Sequence, residues 1–329
     1  MITFGDMVLS SARRLAMPIA VYPGIRLTGA KVRDVVTNAQ AQFDASAAIH
    51  ERYQTPVALS AMDLSVETEA FGSQIQMADD DIPTAMGSLV TTQAQADALA
   101  IPQPGDRRTG VYLETVSLLK KLPRKPIVLG GMIGPFSLAG RLVGLSEACG
   151  LTLTDPALMH RVLTKSTAFL AAYAKAFRAA GADGVVMAEP AAGLLSPKGM
   201  TEYSSAYIRQ IVTGVEDGRF AIILHNCAAK ALHLPAVLES GVRCCHFGAP
   251  MDLAAALAKV GPEIVVCGNL DPSAVFGQST PEEVASKTTE MLQRMRGYRN
   301  FVASSGCDVP PPSPLANLDA FFRAVAAAR

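Results

Sequence analysis

Short unbroken apolar runs alternate along this chain with longer stretches in which apolar positions return every three or four residues. The runs are Ile19–Tyr22, Val57–Met62, Ile127–Met132, Gly184–Ala188, Phe220–Leu224, Arg243–Phe247, Ile264–Gly268 and Phe301–Ser305. A run without polar alternation reads as a strand buried on both faces, the habit of parallel sheets covered by helices. The stretches between carry helix punctuation. Asp155-Pro156 supplies an N-cap and a proline in the first turn, and Gly181 follows the far end. Between them Leu158, Val162, Phe169, Tyr173 and Phe177 recur at near-helical spacing, as a face that packs on a sheet would. Thr280-Pro281-Glu282-Glu283 is a capping box, with Gly297 marking the far end. Eight strand-plus-helix units in succession predict a (β/α)8 TIM barrel, one domain over residues 1–329. Residues 63–125 are too long for a simple connection and read as an insertion. Long loops after barrel strands are where such folds build their sites.

Composition narrows the partners. The chain has 329 residues, 50% of them hydrophobic and 18% charged, with 29 basic against 29 acidic residues. Neither a basic stripe nor an arginine-rich tail is present, so a nucleic-acid partner is not expected. The beginning, Met1-Ile-Thr-Phe-Gly-Asp, lacks a signal-peptide pattern, and no apolar run is long enough to span a membrane. The expectation is a soluble cytoplasmic protein without a membrane partner. In that compartment the six cysteines are thiols or metal ligands rather than a disulfide framework.

In this fold the C-terminal ends of the strands share one mouth. Those positions hold Tyr22-Pro23-Gly24, Asp63, Gly131 and Gly134, Glu189, His225 with Cys227, His246, Asn269 with Asp271, and Cys307 with Asp308. His225 and Cys227 lie two apart, so an extended chain points both to one side. With Cys307 they make a His/Cys/Cys set leaving one position open, the arrangement of catalytic rather than structural zinc. Glu189 reads as a fourth zinc ligand that leaves when a substrate arrives, as a general base, or as a plain cap of the following loop. Asp63 reads either as an acceptor for the pyrrole or amide groups of a macrocycle or as an N-cap. Gly131, His246, Asn269 and Asp271 complete the predicted cofactor-binding mouth. Adjacent strand residues face opposite ways, so Cys244 and Cys245 read as packing, as do Cys149 and Cys267.

Four segments carry a resemblance. Leu59-Ser-Ala-Met-Asp63-Leu-Ser-Val-Glu67-Thr-Glu69-Ala-Phe-Gly72 resembles the second-strand segment of the uroporphyrinogen decarboxylase superfamily. Gly130-Gly-Met-Ile-Gly134-Pro-Phe-Ser-Leu-Ala139 is similar to its third-strand segment and Gly268-Asn-Leu-Asp271-Pro272 to its seventh, and Ser305-Gly-Cys307-Asp308-Val-Pro310 extends the likeness to the eighth strand. The resemblance implies a (β/α)8 barrel. The decarboxylase branch carries an arginine-rich N-terminal segment for a many-carboxylate substrate. Here that region, Met17–Gly29, holds only Arg26, poor balance for eight carboxylates. The cobamide-dependent methyltransferase branch carries a zinc motif, His-x-Cys with a distant Cys, which falls on His225, Cys227 and Cys307. The likeness to that branch implies Zn2+ and transfer of a methyl group from methylcobalamin or a corrinoid protein to a thiol such as coenzyme M. The insertion 63–125 would then face the corrinoid protein. Transfer to tetrahydrofolate, decarboxylation of uroporphyrinogen and a non-catalytic tetrapyrrole- or corrinoid-binding barrel are the alternatives.

Overall fold

The computed structural model describes residues 3–328. Its strands are β1 (Val57–Leu59), β2 (Gln74–Gln76), β3 (Thr84–Met86), β4 (Ile127–Ile133), β5 (Gly184–Ala188), β6 (Ala221–Asn226), β7 (Cys244–Phe247), β8 (Val265–Leu270) and β9 (Phe301–Ser305). Seven of them form one parallel sheet in the order β1-β4-β5-β6-β7-β8-β9. Every strand in the sheet follows a helical connection, as parallel pairing requires. The predicted runs mark these seven strands to within a few residues.

The first run is a correction. Ile19–Tyr22 forms no strand among the described residues, and the eighth barrel position is held by a single parallel bridge, Ala16 to Ala303. The Met17 amide donates to the Ala303 carbonyl at 2.9 Å, and the Ala303 amide to the Leu15 carbonyl at 3.0 Å. The ladder stops there, the Met17 carbonyl accepting from the Ser304 hydroxyl at 2.6 Å, and Pro18 has no amide hydrogen to offer on the other side. The Ile19 amide is taken by the Ser305 hydroxyl oxygen at 3.0 Å instead, and Tyr22-Pro23-Gly24 closes into a 3-10 turn. On its other side the segment meets the end of β1 through the Tyr22 hydroxyl, which donates to the Met62 carbonyl at 3.0 Å.

The long helix Pro156–Ala179 starts as its caps predict, with Asp155 accepting from the Leu158 amide at 3.1 Å. Its apolar face, Leu158, Val162, Phe169, Tyr173 and Phe177, is buried. The Gly181 and Ala182 amides close the other end onto the Arg178 and Phe177 carbonyls at 3.0 Å each. The insertion after β1 is structured. It contains the helix Val66–Ala70, the antiparallel β2/β3 hairpin and the helices Gln93–Ala98 and Thr109–Leu119. Among the described residues no helix is long and apolar enough to cross a membrane.

Candidate metal centre

β6 carries His225 as its penultimate residue, and Cys227 follows at its end. Cys307 lies just beyond β9. The curl of the sheet brings the three together, so that one ligand atom from each lies within 4.8 Å of the others. His225 is buried, whereas the two cysteines are half-buried and accessible from the mouth. Close approach here depends on Gly248, where a Cβ would stand 2.2 Å from the Cys227 carbonyl oxygen.

A hydrogen-bond chain assigns the histidine tautomers. The Ser304 hydroxyl donates its only hydrogen to the Met17 carbonyl at 2.6 Å. Ser304 Oγ therefore accepts from His246 Nε2, 2.8 Å away. Burial pushes His246 well below the usual histidine range. Its ring is neutral, and its Nδ1 must be an acceptor. His225 Nδ1 lies 2.8 Å from it and donates. The remaining nitrogen, His225 Nε2, is a lone pair, buried and without a hydrogen-bond partner. An orphaned imidazole lone pair facing two sulfurs is the donor set zinc prefers. The thiols are already unequal. Hydrogen bonding from Cys307 lowers Cys227 to about 7 against the opposing effect of burial. The same bond, with burial, pushes Cys307 up to about 12.

Register decides what the other predicted residues do. Ala188, His225 and His246 are paired across three strands, so Glu189 stands beside the histidines. Its carboxylate turns away from the metal group, accepting from the Phe136 amide at 2.8 Å, the Ser137 amide at 2.9 Å and the Ser204 hydroxyl at 2.8 Å. It caps the start of the helix Pro135–Val143 rather than joining the candidate metal group. Gly134 leaves room for it, since a Cβ there would meet Glu189 Oε2 at 2.4 Å. Burial raises the Glu189 pKa, opposed by the hydrogen bonds it accepts.

His246 is a support for His225 and is wholly buried, so it does not line the mouth. Gly131 is a packing position, its amide donating to Ser60 Oγ at 2.7 Å, and a Cβ there would meet the Ala61 carbonyl at 2.6 Å. Asn269 donates to the Gly248 carbonyl at 3.0 Å and the Met251 carbonyl at 2.7 Å, holding the loop that flanks Cys227. Asp271 caps the turn after β8, accepting from the Ser273 amide at 2.9 Å and the Ala274 amide at 2.7 Å.

Asp63 is buried, and its carboxylate accepts from the Ser65 amide at 2.9 Å and from the Ser65 hydroxyl at 2.6 Å. It also pairs with Arg108, whose Nε reaches Glu69 at 2.6 Å. The local cap reading thus accounts for part of its role, and Arg108 for the rest. Nothing in the sequence pattern marks Arg108, which arrives from inside the insertion. Two further acids have carboxylate oxygens shut off from solvent, Glu67 buried and Asp308 half-buried. Glu67 accepts the Ile133 amide at 2.9 Å with one carboxylate oxygen, while the other has no partner. Burial raises Glu67 to about 7. Asp308 has both oxygens without partners, and burial raises its pKa well above the carboxylate range. Cys244, Cys245 and Cys267 are buried packing residues, whereas Cys149 is half-buried.

The chain is similar to several known proteins. It is 28% identical over 288 residues to a methylcobamide:CoM methyltransferase of Methanosarcina acetivorans, covering 85% of this chain and 83% of that protein. It is 27% identical over 285 residues to a uroporphyrinogen decarboxylase of Tolumonas auensis, covering 83% and 79%. In three dimensions it superposes on a methyltransferase from Methanosarcina mazei with a TM-score of 0.88 over 99% of both chains, at 20% identity. A B12-independent methionine synthase from a Shewanella strain matches with a TM-score of 0.59 over 88% of this chain and 86% of that one, at 15% identity. These structural likenesses fix the fold. The profile described as Uroporphyrinogen decarboxylase (URO-D) matches residues 13–328, and the chain belongs to that family.

Proposed function

We propose that this protein is a zinc-dependent methyltransferase moving a methyl group from a methylated corrinoid to a small thiol of the coenzyme M type. The observation that carries the reading is the unpartnered His225 Nε2 lone pair converging with the Cys227 and Cys307 sulfurs. The relatives named methylcobamide:CoM methyltransferase support it. Zinc held by those three residues would supply the positive charge that lets an incoming thiol shed its proton near neutral pH. His225 contributes a neutral ligand in a fixed orientation, set by His246, and the two cysteines contribute thiolates. A methylated corrinoid, when bound, would supply the methyl group and keep the electron pair of its carbon–cobalt bond, while His225, Cys227 and Cys307 would hold the metal that orients the thiolate toward that methyl carbon. The C-terminal mouth receives the corrinoid, either free or presented by a corrinoid protein, with the β2/β3 hairpin at its rim. Glu189 and Asp63 hold the walls of that mouth through the contacts described above.

The family and its decarboxylase relatives favour uroporphyrinogen decarboxylation as the second reading. Against it, Arg26 is the one arginine in the segment 17–29 and donates to the Pro312 carbonyl at 3.1 Å.

The test is metal analysis followed by turnover. Protein prepared without chelators is expected to carry about one zinc per chain and to release cob(I)alamin from methylcobalamin only when a thiol is added. Cys227→Ala and Cys307→Ala should lose both properties. Carbon dioxide released from uroporphyrinogen at a comparable rate overturns the reading, as does undiminished transfer to tetrahydrofolate by zinc-free protein.

A further inference from the structure

A cavity of about 420 Å3 opens between the helix Pro135–Val143, the end of the β2/β3 hairpin and the turn that follows β5. Its wall is largely apolar, including Ala85, Leu145, Ala191 and Leu194, and its only charged lining residue is Arg141. Large apolar side chains stand exposed around it: Met86 at 53%, Leu145 at 46% and Leu194 at 60%.

Arg141 is half-buried, yet it has no hydrogen-bond or ion-pair partner among the described residues. The other arginines that are not exposed are all engaged. Arg14 donates to the Tyr298, Phe301 and Met295 carbonyls, Arg108 pairs with Asp63 and Glu69, and Arg178 pairs with Asp217. Asp63 and Glu67 lie near enough to raise the Arg141 pKa against the lowering by burial, but neither reaches ion-pair distance. A guanidinium keeps its charge at any working pH. A cation partly removed from water without a partner is costly unless an anion arrives. Apolar walls around a single convergent charge are the make-up of a small-molecule site.

We propose that this cavity binds a small organic acid, its carboxylate or sulfonate paired with Arg141 and its apolar body against Leu145, Ala191 and Leu194. The pairing is a charge-assisted fork, which a planar guanidinium makes with two acid oxygens at once. The site goes beyond the methyl-transfer reading, because it needs neither the metal nor a thiol. Within that reading it would take an acid group carried by a substrate entering the same mouth.

The test uses probes of one size and different charge: butyrate, propanesulfonate, butanol and butylamine, titrated into the full-length protein and followed by calorimetry or ligand-observed NMR. The two anions should bind at least about tenfold more tightly than the alcohol or the amine, the worth of one charge-assisted pair. Arg141→Gln should erase that preference. Leu194→Glu, a substitution at an exposed rim position, should do the same by placing a competing carboxylate near the guanidinium. Equal binding of anion and alcohol, absence of binding at millimolar concentrations, or an anion preference that survives Arg141→Gln in folded protein would each overturn the proposal. Because the probes carry no thiol, a failure of zinc binding or methyl transfer leaves the result unaffected.

Discussion

Replacing His246 with leucine isolates the second layer of the metal group. The side chains are similar in size, so the wholly buried position stays filled and no large cavity opens. What disappears is the acceptor for His225 Nδ1 at 2.8 Å and the donor to Ser304 Oγ at 2.8 Å. Two effects follow, and they are measured separately. Leaving a buried donor unpaired costs about 1–3 kcal/mol of folding stability, read from urea unfolding of the metal-free protein. Freeing the His225 ring to turn and exchange tautomers weakens zinc binding by roughly 10- to 100-fold, or about 1.4–2.7 kcal/mol, read from competition with a chromogenic chelator. His246→Asn places an amide oxygen near the lost Nδ1 and should recover most of the affinity. If folded His246→Leu binds zinc within about twofold of the unaltered protein, well below the usual second-layer effect, then the His246–His225 contact does not orient the ligand.

Glu67 makes stability depend on pH. Its acid is raised to about 7 from an ordinary 4.5, so between those values the folded chain holds a proton that the unfolded chain has lost. Stability from this group is present below pH 4.5 and is lost as pH rises through 7. Glu67→Gln should therefore gain on the unaltered protein by up to about 3 kcal/mol between pH 4.5 and 8. Urea unfolding followed by circular dichroism tests this, and a difference that does not change with pH refutes it. Arg108→Met strands the buried carboxylate of Asp63 and should cost about 3–5 kcal/mol. A loss below about 1 kcal/mol, the range of exposed ion pairs, would show that Asp63 is compensated by Ser65 alone.

The candidate metal-binding residues were legible because their information is local. An apolar run marks a strand, its end marks the mouth, and histidine and cysteine declare their chemistry by residue type. Seven strands were readable for the same reason. The eighth was not, because Ile19–Tyr22 is as apolar as the others while the ladder to β9 stops after Ala16–Ala303, the next backbone groups, the Met17 carbonyl and the Ile19 amide, being taken by the Ser304 and Ser305 hydroxyls. Glu189, His246, Asn269 and Asp271 stand at strand ends as expected, yet none offers its polar group to the metal set. Glu189 is claimed by two amides of the helix Pro135–Val143 and by Ser204, and His246 by its neighbours on β6 and β9.

By itself, then, the sequence determined the strand-and-helix alternation, the apolar faces, the helix caps and the three residues of the candidate metal group. Each of these depends on residue type and on neighbours a few positions away. The tertiary structure alone decided that Arg108 would reach Asp63, that His246 would set the tautomer of His225, and that Arg141 would be left without a partner beside an apolar cavity. Those outcomes depend on the register between strands and on how the insertion folds over the mouth. Hydrogen bonds and ion pairs act over a few ångströms, so their partners exist only once segments far apart in the chain have been packed together.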